Sequence, residues 1–338
     1  MTVTIREVAA EAGTSLSTVS RVFSNPDAVN ATTRGRVLKT ASRLGYQPNA
    51  AARSLRGGRT GSLGLIIPDI ANPFFPPVMK AIQGKARRLG YTVLVADSNE
   101  RPNEEFEAIE ALRPRVDGLI LWASTLQEEK IIELAARIPI ILVNREVAGI
   151  PQVQISLSAG VRQAVEHLKA YGHESCAFIT CSQPGSNREV SIRRELEEAG
   201  IRVVEFGPYE ARFETGLHAA PLVLADGATA VIAHNDLVAL GLLQQFAALG
   251  IRVPEDVSVI GIDDTILAAT SSPGLATVRI DPNDIAEAAS DLLLGIIGRT
   301  AQVSPAEVIT VGTRLVPRAS SGPVRVNEPA KQLISKEK

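Results

Sequence analysis

The segment from Leu16 to Arg21 combines side chains that can recognise DNA bases. Leu16, Ser17 and Thr18 are adjacent, and Arg21 follows one helical turn later. An arginine can donate two hydrogen bonds to O6 and N7 of guanine, and a leucine can pack against a thymine methyl group. If the segment is helical, these residues lie at the N-terminus of the helix, where base edges are contacted in several DNA-binding motifs.

A second group of candidates consists of polar residues that follow predicted strands later in the chain. Carboxylates and amides can bind the hydroxyls of a sugar-like ligand, and tryptophan can stack on its apolar face. Apolar walls with a few convergent polar groups are typical of small-molecule pockets. Each residue can instead be a solvated loop position, and Asn235 and Asp236 could simply cap the helix that follows them. The candidates are Asp69, Asn72, Trp122, Asn144, Asn235, Asp236, Asp263 and Asp264.

The first group requires a pair of short helices to position it. Thr4 and Glu7 have the spacing of a capping box, Gly13 supplies a tight turn, and Ser15 can cap a second helix. Val19, Val22 and Phe23 give that second helix an apolar face, and a third helix is predicted from residue 32 to Leu44. Two helices joined by a glycine turn make a helix-turn-helix, although other small helix pairs share the spacing.

A short helix-prone segment at 50–56 follows, between a possible cap at Asn49 and the glycines at 57 and 58. Isolated helices shorter than about 12–15 residues are marginal in water. The segment can fold when it binds DNA, or it can remain a flexible linker.

Charge separates the chain into two parts. Residues 1–59 hold nine Lys or Arg and three Asp or Glu, although the formal net charge of the whole chain is −2. A small basic head on a larger acidic body is typical of a polyanion-binding module joined to another function.

The body alternates strand-like and helix-like segments. This alternation implies parallel sheets covered by helices on both faces. The body is longer than one such sheet needs, so we predict two doubly wound α/β lobes, with ligands beyond the carboxyl ends of the strands. Strand-like runs occur at 63–68, 91–96, 116–121, 138–143, 177–180, 229–233 and 257–262, and helix-like stretches include 78–89, 160–171 and 237–249.

The order of motifs resembles that of the LacI/GalR family of transcription regulators, over residues 3 to about 318. The head carries the resemblance in its first 25 residues, in LGYQPN at 44–49 and in ARSLRGGRT at 52–60. The body carries it in IPDIANPFF at 67–75, HNDLVALG at 234–241 and VPEDVSVIGIDD at 253–264. The resemblance implies an all-α helix-turn-helix head with a hinge helix, and a body like the periplasmic binding proteins with an effector between its two parallel-sheet lobes.

Domain boundaries and site residues follow from this resemblance. We place the head at 1–46, the hinge at 47–59, the body at 60–320 and a tail at 321–338. One lobe takes residues 60–158 with 283–320, and the other takes 159–282. In the family the hinge helices of two subunits pair in the minor groove, where a leucine matching Leu55 wedges into a base step. The DNA-binding set is Thr4, Ser15, Leu16, Ser17, Thr18, Arg21, Asn49, Ala52, Leu55 and Arg56, and the effector-binding set is Asn72, Phe74, Trp122, Asn144, Arg188, Asn235 and Asp263.

Several positions depart from the family pattern and affect the expected ligand class. Ser191-Ile192 stands where Gly-Phe is common, Ser156 where the family often has Asp, and Ala211 near a frequent aromatic wall. A sugar or sugar derivative is the expected effector, followed by a purine.

Other functions find less support in the sequence. The glycine-rich stretch at 57–62 precedes a strand and lacks Gly-Lys-Ser/Thr, so it is not a phosphate-binding loop. The four histidines and two cysteines show no metal-ligand spacing, no catalytic constellation stands out, and we expect neither cofactor nor metal. The N-terminus has no signal-peptide pattern, and no apolar run approaches the ~18 residues of a membrane span. We therefore expect a cytoplasmic protein that does not bind membranes.

The sequence thus predicts a repressor that binds a palindromic operator as a homodimer under the control of a small molecule. The tail shows no sustained leucine heptads, so we expect a dimer without a tail-driven tetramer. Two alternatives remain: a solute-binding protein without DNA function, and a nucleotide-dependent enzyme.

Overall fold

The structure, a computed structural model, describes residues 3–24, 26–46, 59–182, 188–297 and 307–324. Within these residues the chain separates into two compact units, one formed mainly by the N-terminal residues up to Ser62 and the other by most of the remainder.

The described part of the N-terminal unit contains three α-helices packed around a small apolar core. The predicted capping box is present, because Thr4 N donates to Glu7 Oε2 at 2.6 Å and Glu7 N donates to Thr4 Oγ1 at 3.4 Å. Val8, Val19 and Val37 are fully buried, one from each helix. The helices are α1 (Ile5–Glu11), α2 (Leu16–Ser24) and α3 (Ala31–Leu44), with a 3-10 turn at Pro26–Ala28.

The first lobe of the second unit is built on a six-stranded sheet in the order β11-β5-β4-β3-β1-β2. The pairings β1–β3, β3–β4, β4–β5 and β5–β11 are parallel. Its strands are β1 (Ser62–Ile67), β2 (Thr92–Asp97), β3 (Leu119–Trp122), β4 (Ile140–Val143), β5 (Gln152–Ile155) and β11 (Val308–Val311). Its helices are α4 (Phe75–Arg88), α5 (Pro102–Leu112), α6 (Glu128–Ala135) and α12 (Pro282–Ile297).

The second lobe has its own six-stranded sheet in the order β12-β10-β9-β8-β6-β7. Four pairings are parallel, and β12 joins the edge antiparallel to β10. Its strands are β6 (Ser175–Cys181), β7 (Arg202–Tyr209), β8 (Ala230–Ala233), β9 (Ser258–Asp263), β10 (Ala276–Ile280) and β12 (Thr313–Val316). Its helices are α7 (Ser158–Ala170), α8 (Arg188–Glu198), α9 (Phe213–Asp226), α10 (Asp236–Ala248) and α11 (Ile266–Thr270).

The chain crosses between the two lobes once more than we expected. We assigned residues 283–320 to the first lobe, but only α12 and β11 lie there, since β12 pairs with β10 of the second sheet. Gly312 separates β11 from β12, so neighbouring residues enter different sheets. The predicted tail also differs, because Gly322 N donates to Ser258 Oγ at 3.1 Å and Val324 N donates to Tyr171 O at 3.0 Å.

Two glycines allow the backbones of α9 and α10 to lie in direct contact. A Cβ atom on Gly216 would lie 2.1 Å from Val238 O, and one on Gly241 would lie 2.1 Å from Phe213 O. Such separations are far below van der Waals contact, so an alanine at either position forces the helices apart.

We expect Gly216→Ala to lower the free energy of unfolding by about 2 kcal/mol or more, because overpacking a filled contact commonly costs ~1–3 kcal/mol. Gly295→Ala is the matched control, since Gly295 lies in α12 and, among the described residues, a Cβ there meets no atom within 4 Å outside its own helix backbone. This control should be neutral or stabilising by up to ~1 kcal/mol, as alanine favours helices over glycine. Urea unfolding of both variants measures the difference, and equal stabilities would contradict the close approach.

Candidate DNA interface and effector cavity

The start of α2 presents the residues predicted to read DNA bases. Leu16, Ser17 and Arg21 are exposed, whereas Val19 and Val22 point into the core of the N-terminal unit. The alternation follows helical periodicity, so one face anchors α2 and the opposite face is open. An exposed face with an arginine, a hydroxyl and a leucine can contact base edges in a major groove.

The remaining residues of the predicted DNA set in this unit shape the helix ends. Thr18 N donates to Ser15 Oγ at 3.1 Å, and Ser15 Oγ lies 2.8 Å from the hydroxyl oxygens of Ser17 and Thr18. Thr4 is bound to Glu7 through both its backbone N and its hydroxyl. The structure thus gives Thr4 and Ser15 a capping role, which orients the helix N-termini that phosphates favour. The predicted hinge contacts Asn49, Ala52, Leu55 and Arg56 lie outside the described residues.

Part of the positive charge of this unit is neutralised internally. Arg43 Nη2 lies 2.5 Å from Glu11 Oε1, and Arg34 Nη1 lies 3.2 Å from Asp27 Oδ1. These exposed pairs tie α3 to α1 and to the 3-10 turn, and each is worth little in isolation. Arg21 lies outside these pairs and is exposed, which suits a residue that contacts a ligand from outside the unit.

In the second unit, a cavity of about 460 Å³ lies between the two lobes. Parallel strands of both sheets end beside it, which is the expected place for ligands in open α/β sheets. The loop after β1 supplies Asn72 and Phe74, and β3 and β9 end with Trp122 and Asp263. The predicted effector residues all line this cavity: Asn72, Phe74, Trp122, Asn144, Arg188, Asn235 and Asp263.

The first lobe contributes an aromatic wall. The ring centroids of Phe74 and Trp122 are 5.7 Å apart, and those of Phe75 and Trp122 are 5.5 Å apart. Both pairs meet edge to face, with interplanar angles of 69° and 87°, a favourable arrangement for aromatic rings. The three rings are more than 90% buried, so the wall is rigid before any ligand arrives.

The second lobe contributes a buried polar centre. Arg188 Nη1 donates to His234 O at 2.6 Å, and Arg188 Nη2 lies 3.6 Å from Asp263 Oδ1. Asp263 Oδ1 and His234 Nδ1 are buried and have no hydrogen-bond partner among the described residues. Buried polar atoms are normally paired, so these two can receive the polar groups of a ligand.

The electrostatics of this centre follow from its burial. Desolvation raises the pKa of Asp263 to about 8, against the opposing charge of Arg188, and the carboxylate of Asp236 acts in the same direction as burial. Desolvation, with a contribution from Arg188, lowers the pKa of His234 well below its usual value. A neutral imidazole and a mostly protonated carboxyl favour an uncharged, hydrogen-bonding ligand over an ion.

Two of the predicted strand-end carboxylates are structural. Asp236 Oδ1 accepts from Thr277 Oγ1 at 2.6 Å, and its Oδ2 accepts from Thr265 N at 2.7 Å. Asp264 lies 2.5 Å from Arg318 Nη2 and 3.2 Å from Arg279 Nη1, outside the cavity lining. Asp263 and Asp264 therefore point in different directions, as adjacent strand-end residues do.

Asn235 caps a helix and also lines the cavity. Its Oδ1 accepts from Val238 N at 2.9 Å and caps α10, while its amide group lies in the cavity and donates to Ala211 O at 3.3 Å. Asn72 similarly uses Oδ1 to accept from Phe74 N at 3.0 Å. Capping and ligand contact are thus compatible at one residue, because the amide nitrogen remains available.

Sequence reasoning missed several residues of the cavity. His234 belongs to the motif at 234–241 that carries the family resemblance, but it was not named as a ligand contact; its place directly before the capping Asn235 is the signal that it lies at the strand end. Glu100 lies four residues after the predicted strand at 91–96, the same spacing that made Asn72 a candidate, whereas Arg212 follows no predicted strand. Asp69, one of the strand-end candidates, also lines the cavity, and the other lining residues outside the predicted effector set are Pro68, Ala71, Phe75, Asn99, Arg101, Ile155 and Ala211. Among the described residues, no group of three His, Cys, Asp or Glu side chains could hold a metal ion, and no helix could cross a membrane.

Comparison with known proteins links both units to one group. Residues 4–49 match the family of bacterial regulatory proteins described as the lacI family, and residues 165–321 match a periplasmic binding protein-like domain. The transcriptional regulator DegA of Bacillus subtilis is 34% identical over 291 residues, which cover 82% of this chain and 86% of DegA. Catabolite control protein A of Priestia megaterium is 33% identical, covering 87% of this chain and 92% of the relative.

Solved structures give the same result for the fold. The Lac repressor dimer bound to operator and an anti-inducer has a TM-score of 0.83 at 27% identity, covering 95% of this chain and 100% of the repressor chain. The complex of the transcriptional regulator CelR with cellobiose has a TM-score of 0.68 at 27% identity, covering 94% and 100%. The predicted architecture of helix-turn-helix head and two parallel-sheet lobes is confirmed. The relatives are transcription regulators, not enzymes.

The buried carboxyl of Asp263 predicts a pH-dependent stability. Its pKa in the folded protein, about 8, exceeds its ordinary value of 3.8, so between these values the folded state holds a proton that the unfolded chain releases. The free energy of unfolding of the ligand-free protein should therefore fall as pH rises through this window, with a slope of at most ~1.4 kcal/mol per pH unit from this group. Asp263→Asn should flatten the profile measured by denaturant unfolding from pH 5 to pH 8. An unchanged slope would show that Asp263 is already ionised at pH 5.

Proposed function

This chain belongs to the lacI family of bacterial regulatory proteins, and we propose that it is a repressor whose affinity for operator DNA changes when a sugar-like effector occupies the interlobe cavity. One observation supports the effector part above all. Seven side chains predicted from the sequence line a single cavity, and they come from both lobes.

DNA binding is assigned to the N-terminal unit. Leu16, Ser17 and Arg21 form the exposed face of α2 and read the major groove, while basic residues neutralise phosphates and make the affinity salt-dependent. A homodimer presents two such faces related by a two-fold axis, so the operator is palindromic. The Lac repressor dimer, which shares the fold over 95% of this chain, is bound to operator in its solved structure. The protein acts in the cytoplasm, where its DNA target lies.

The effector is a polyhydroxylated, uncharged ring. Such a ring has an apolar face for Trp122 and Phe74, and hydroxyls for Asn144, Arg188 and Asp263. The related regulator CelR was solved with cellobiose. A flat purine offers fewer hydroxyls for the buried Asp263 oxygen, so the cavity favours the sugar.

The effector acts by binding one arrangement of the lobes more tightly than another. Trp122 and Asn144 move with the first lobe, whereas Arg188 and Asp263 move with the second. A ligand that bonds to both groups stabilises the arrangement in which they face each other. It can change the operator affinity only by its difference in affinity for the two arrangements, typically ~1–3 kcal/mol.

Selection of bound sequences from random duplex DNA with purified protein tests the DNA assignment. We expect a palindrome from the native protein. Arg21→Ala should cost about 1–3 kcal/mol of specific binding and relax one position in each half-site. Arg43→Ala is the matched control, because Arg43 pairs with Glu11 and lies on another helix, and it should leave the base preference intact. Recovery of random sequences by the native protein would favour a solute-binding protein, and unchanged preference in Arg21→Ala would remove Arg21 from the readout.

Two cavity variants test the effector assignment. In Asp263→Ala and in Asn72→Ala, the effect of sugars on operator binding should be lost or weakened by at least ~10-fold. Each variant removes a polar contact worth ~1.5 kcal/mol or more. Operator affinity without effector should change little. The control is Asn283→Ala, an exposed asparagine outside the cavity. Fluorescence anisotropy of labelled operator during sugar titration gives both quantities, and a normal response in both variants would refute the assignment.

A further inference from the structure

A second cavity of about 680 Å³ adjoins the effector cavity and shares Pro68 and Glu100 with it. Resting on the function proposed above, we propose that this second cavity is a subsite for an uncharged aromatic or apolar substituent of the effector. The ligand is then a glycoside with an apolar aglycone, instead of a free or phosphorylated sugar.

The described lining of the second cavity differs in chemistry from that of the first. Three prolines and an alanine face it from both lobes, together with the ring of Tyr209 at the end of β7. Proline rings are rigid, so this surface loses little conformational entropy when it receives a ligand. The tyrosine ring is 38% exposed and can stack on an aromatic group. The apolar residues are Pro68, Pro102, Ala123, Pro208 and Tyr209.

Two of the polar side chains in the described lining are already engaged, which leaves Glu100 and the hydroxyls of Ser182 and Tyr209 as the other polar groups. The hydroxyl of Thr125 donates to Glu105 Oε2 at 2.7 Å, so its hydrogen is already used. Glu210 forms an ion pair with Arg212 at 3.1 Å. A second sugar would need several donors and acceptors here, whereas an apolar group needs only the removal of surface from water.

The charges at this end also select against anions. Glu100 and Glu210 belong to opposite lobes, and both line the second cavity. Burial, with the charges of Asp69 and Glu210, raises the pKa of Glu100, and the guanidinium of Arg212 acts in the opposite direction. Arg212 pairs with Glu210, but the described lining of the second cavity itself holds two acidic side chains and no Lys or Arg, so sugar phosphates and sugar acids find no cation there.

The location of the subsite connects it to regulation. Pro102 and Ala123 belong to the first lobe, and Pro208 and Tyr209 belong to the second. A substituent packed between them bridges the lobes at a second point, in addition to the ring in the first cavity. The aglycone should therefore strengthen the effect on operator binding as well as the affinity.

The probes are matched pairs of methyl and 4-nitrophenyl glycosides. Both members of a pair carry the same sugar, and the pairs cover a set of hexoses and pentoses in both anomers. Binding to the full-length protein is measured by isothermal titration calorimetry, and operator binding by anisotropy. For the sugar that binds, the 4-nitrophenyl compound should bind roughly 10- to 100-fold more tightly than the methyl compound, as expected for burial of one aromatic ring. A 4-carboxyphenyl glycoside should lose most of this gain, and Glu210→Gln should restore part of it.

Tyr209→Ala assigns the gain to the subsite. The variant should reduce the ratio of the 4-nitrophenyl to the methyl glycoside affinity by at least 5-fold (about 1 kcal/mol). The affinity for the methyl glycoside should stay unchanged. Leu222→Ala is the control, because Leu222 is similarly exposed at 42% but lies on α9 outside both cavities, and it should preserve the ratio.

Three results would overturn the proposal. Equal affinity of methyl and 4-nitrophenyl glycosides would exclude an apolar subsite. If Asp263→Ala still weakened binding of the methyl glycoside, the proposed function would stand without the subsite. A gain from a disaccharide that equals or exceeds the aryl gain would assign the cavity to a second sugar. Binding of no glycoside at all would refute both the subsite and the sugar-responsive function.

Discussion

The contact between Arg188 and Asp263 is the constraint on which the effector cavity depends. Both side chains are about nine-tenths buried, and Arg188 Nη2 lies 3.6 Å from Asp263 Oδ1, which is too long for a good hydrogen bond. Burying a cation or a polar carboxyl is costly unless it is hydrogen-bonded, and burial accordingly raises the pKa of Asp263 and favours its neutral form. The pair is incomplete, since Asp263 Oδ1 has no hydrogen-bond partner among the described residues. A ligand hydroxyl at this place would supply what the protein leaves unsatisfied.

The surrounding fold keeps this pair in place. Asp236, at the first turn of α10, accepts hydrogen bonds from Thr265 and Thr277 and thereby fixes the helix against β10 and the end of β9. Gly261 makes this possible, because a Cβ there would lie 2.3 Å from Asp236 Oδ1. The same arrangement brings a second carboxylate near Asp263, which adds to the effect of burial on its pKa. The polar centre is thus held by backbone and glycine geometry more than by flexible side chains.

Much of this could be predicted from the sequence, and the failures have physical causes. Seven strands were predicted from continuous apolar runs, as in β3 and β8. Strands β5, β7, β10, β11 and β12 were not predicted. Polar residues interrupt the apolar pattern in β5 and β7 at Gln152, Gln154, Arg202 and Glu205, and in β10 and β12 at Thr277, Arg279, Thr313 and Arg314. The exchange of β12 into the second sheet depends on pairing with β10, which local sequence does not encode. The prediction that the cavity residues lie together came mainly from the family resemblance, since each strand end alone was equally compatible with a helix cap. Asn235 caps a helix and also lines the cavity.

The N-terminal unit shows why recognition of DNA also depends on buried residues. Its described helices span 7, 9 and 14 residues. Isolated helices shorter than about 12–15 residues are marginal in water, so two of the three are too short to form alone and the third is at the limit. They persist because Val8, Val19 and Val37 share one small core and because Thr4 and Ser15 satisfy the helix N-termini. Loss of the core would release α2, and the exposed face with Leu16, Ser17 and Arg21 would then lose its fixed spacing. Base readout requires that spacing, because a bidentate arginine contact fails when its donors are misplaced. The apolar side of α2 is therefore as necessary for operator binding as the side that we propose contacts DNA.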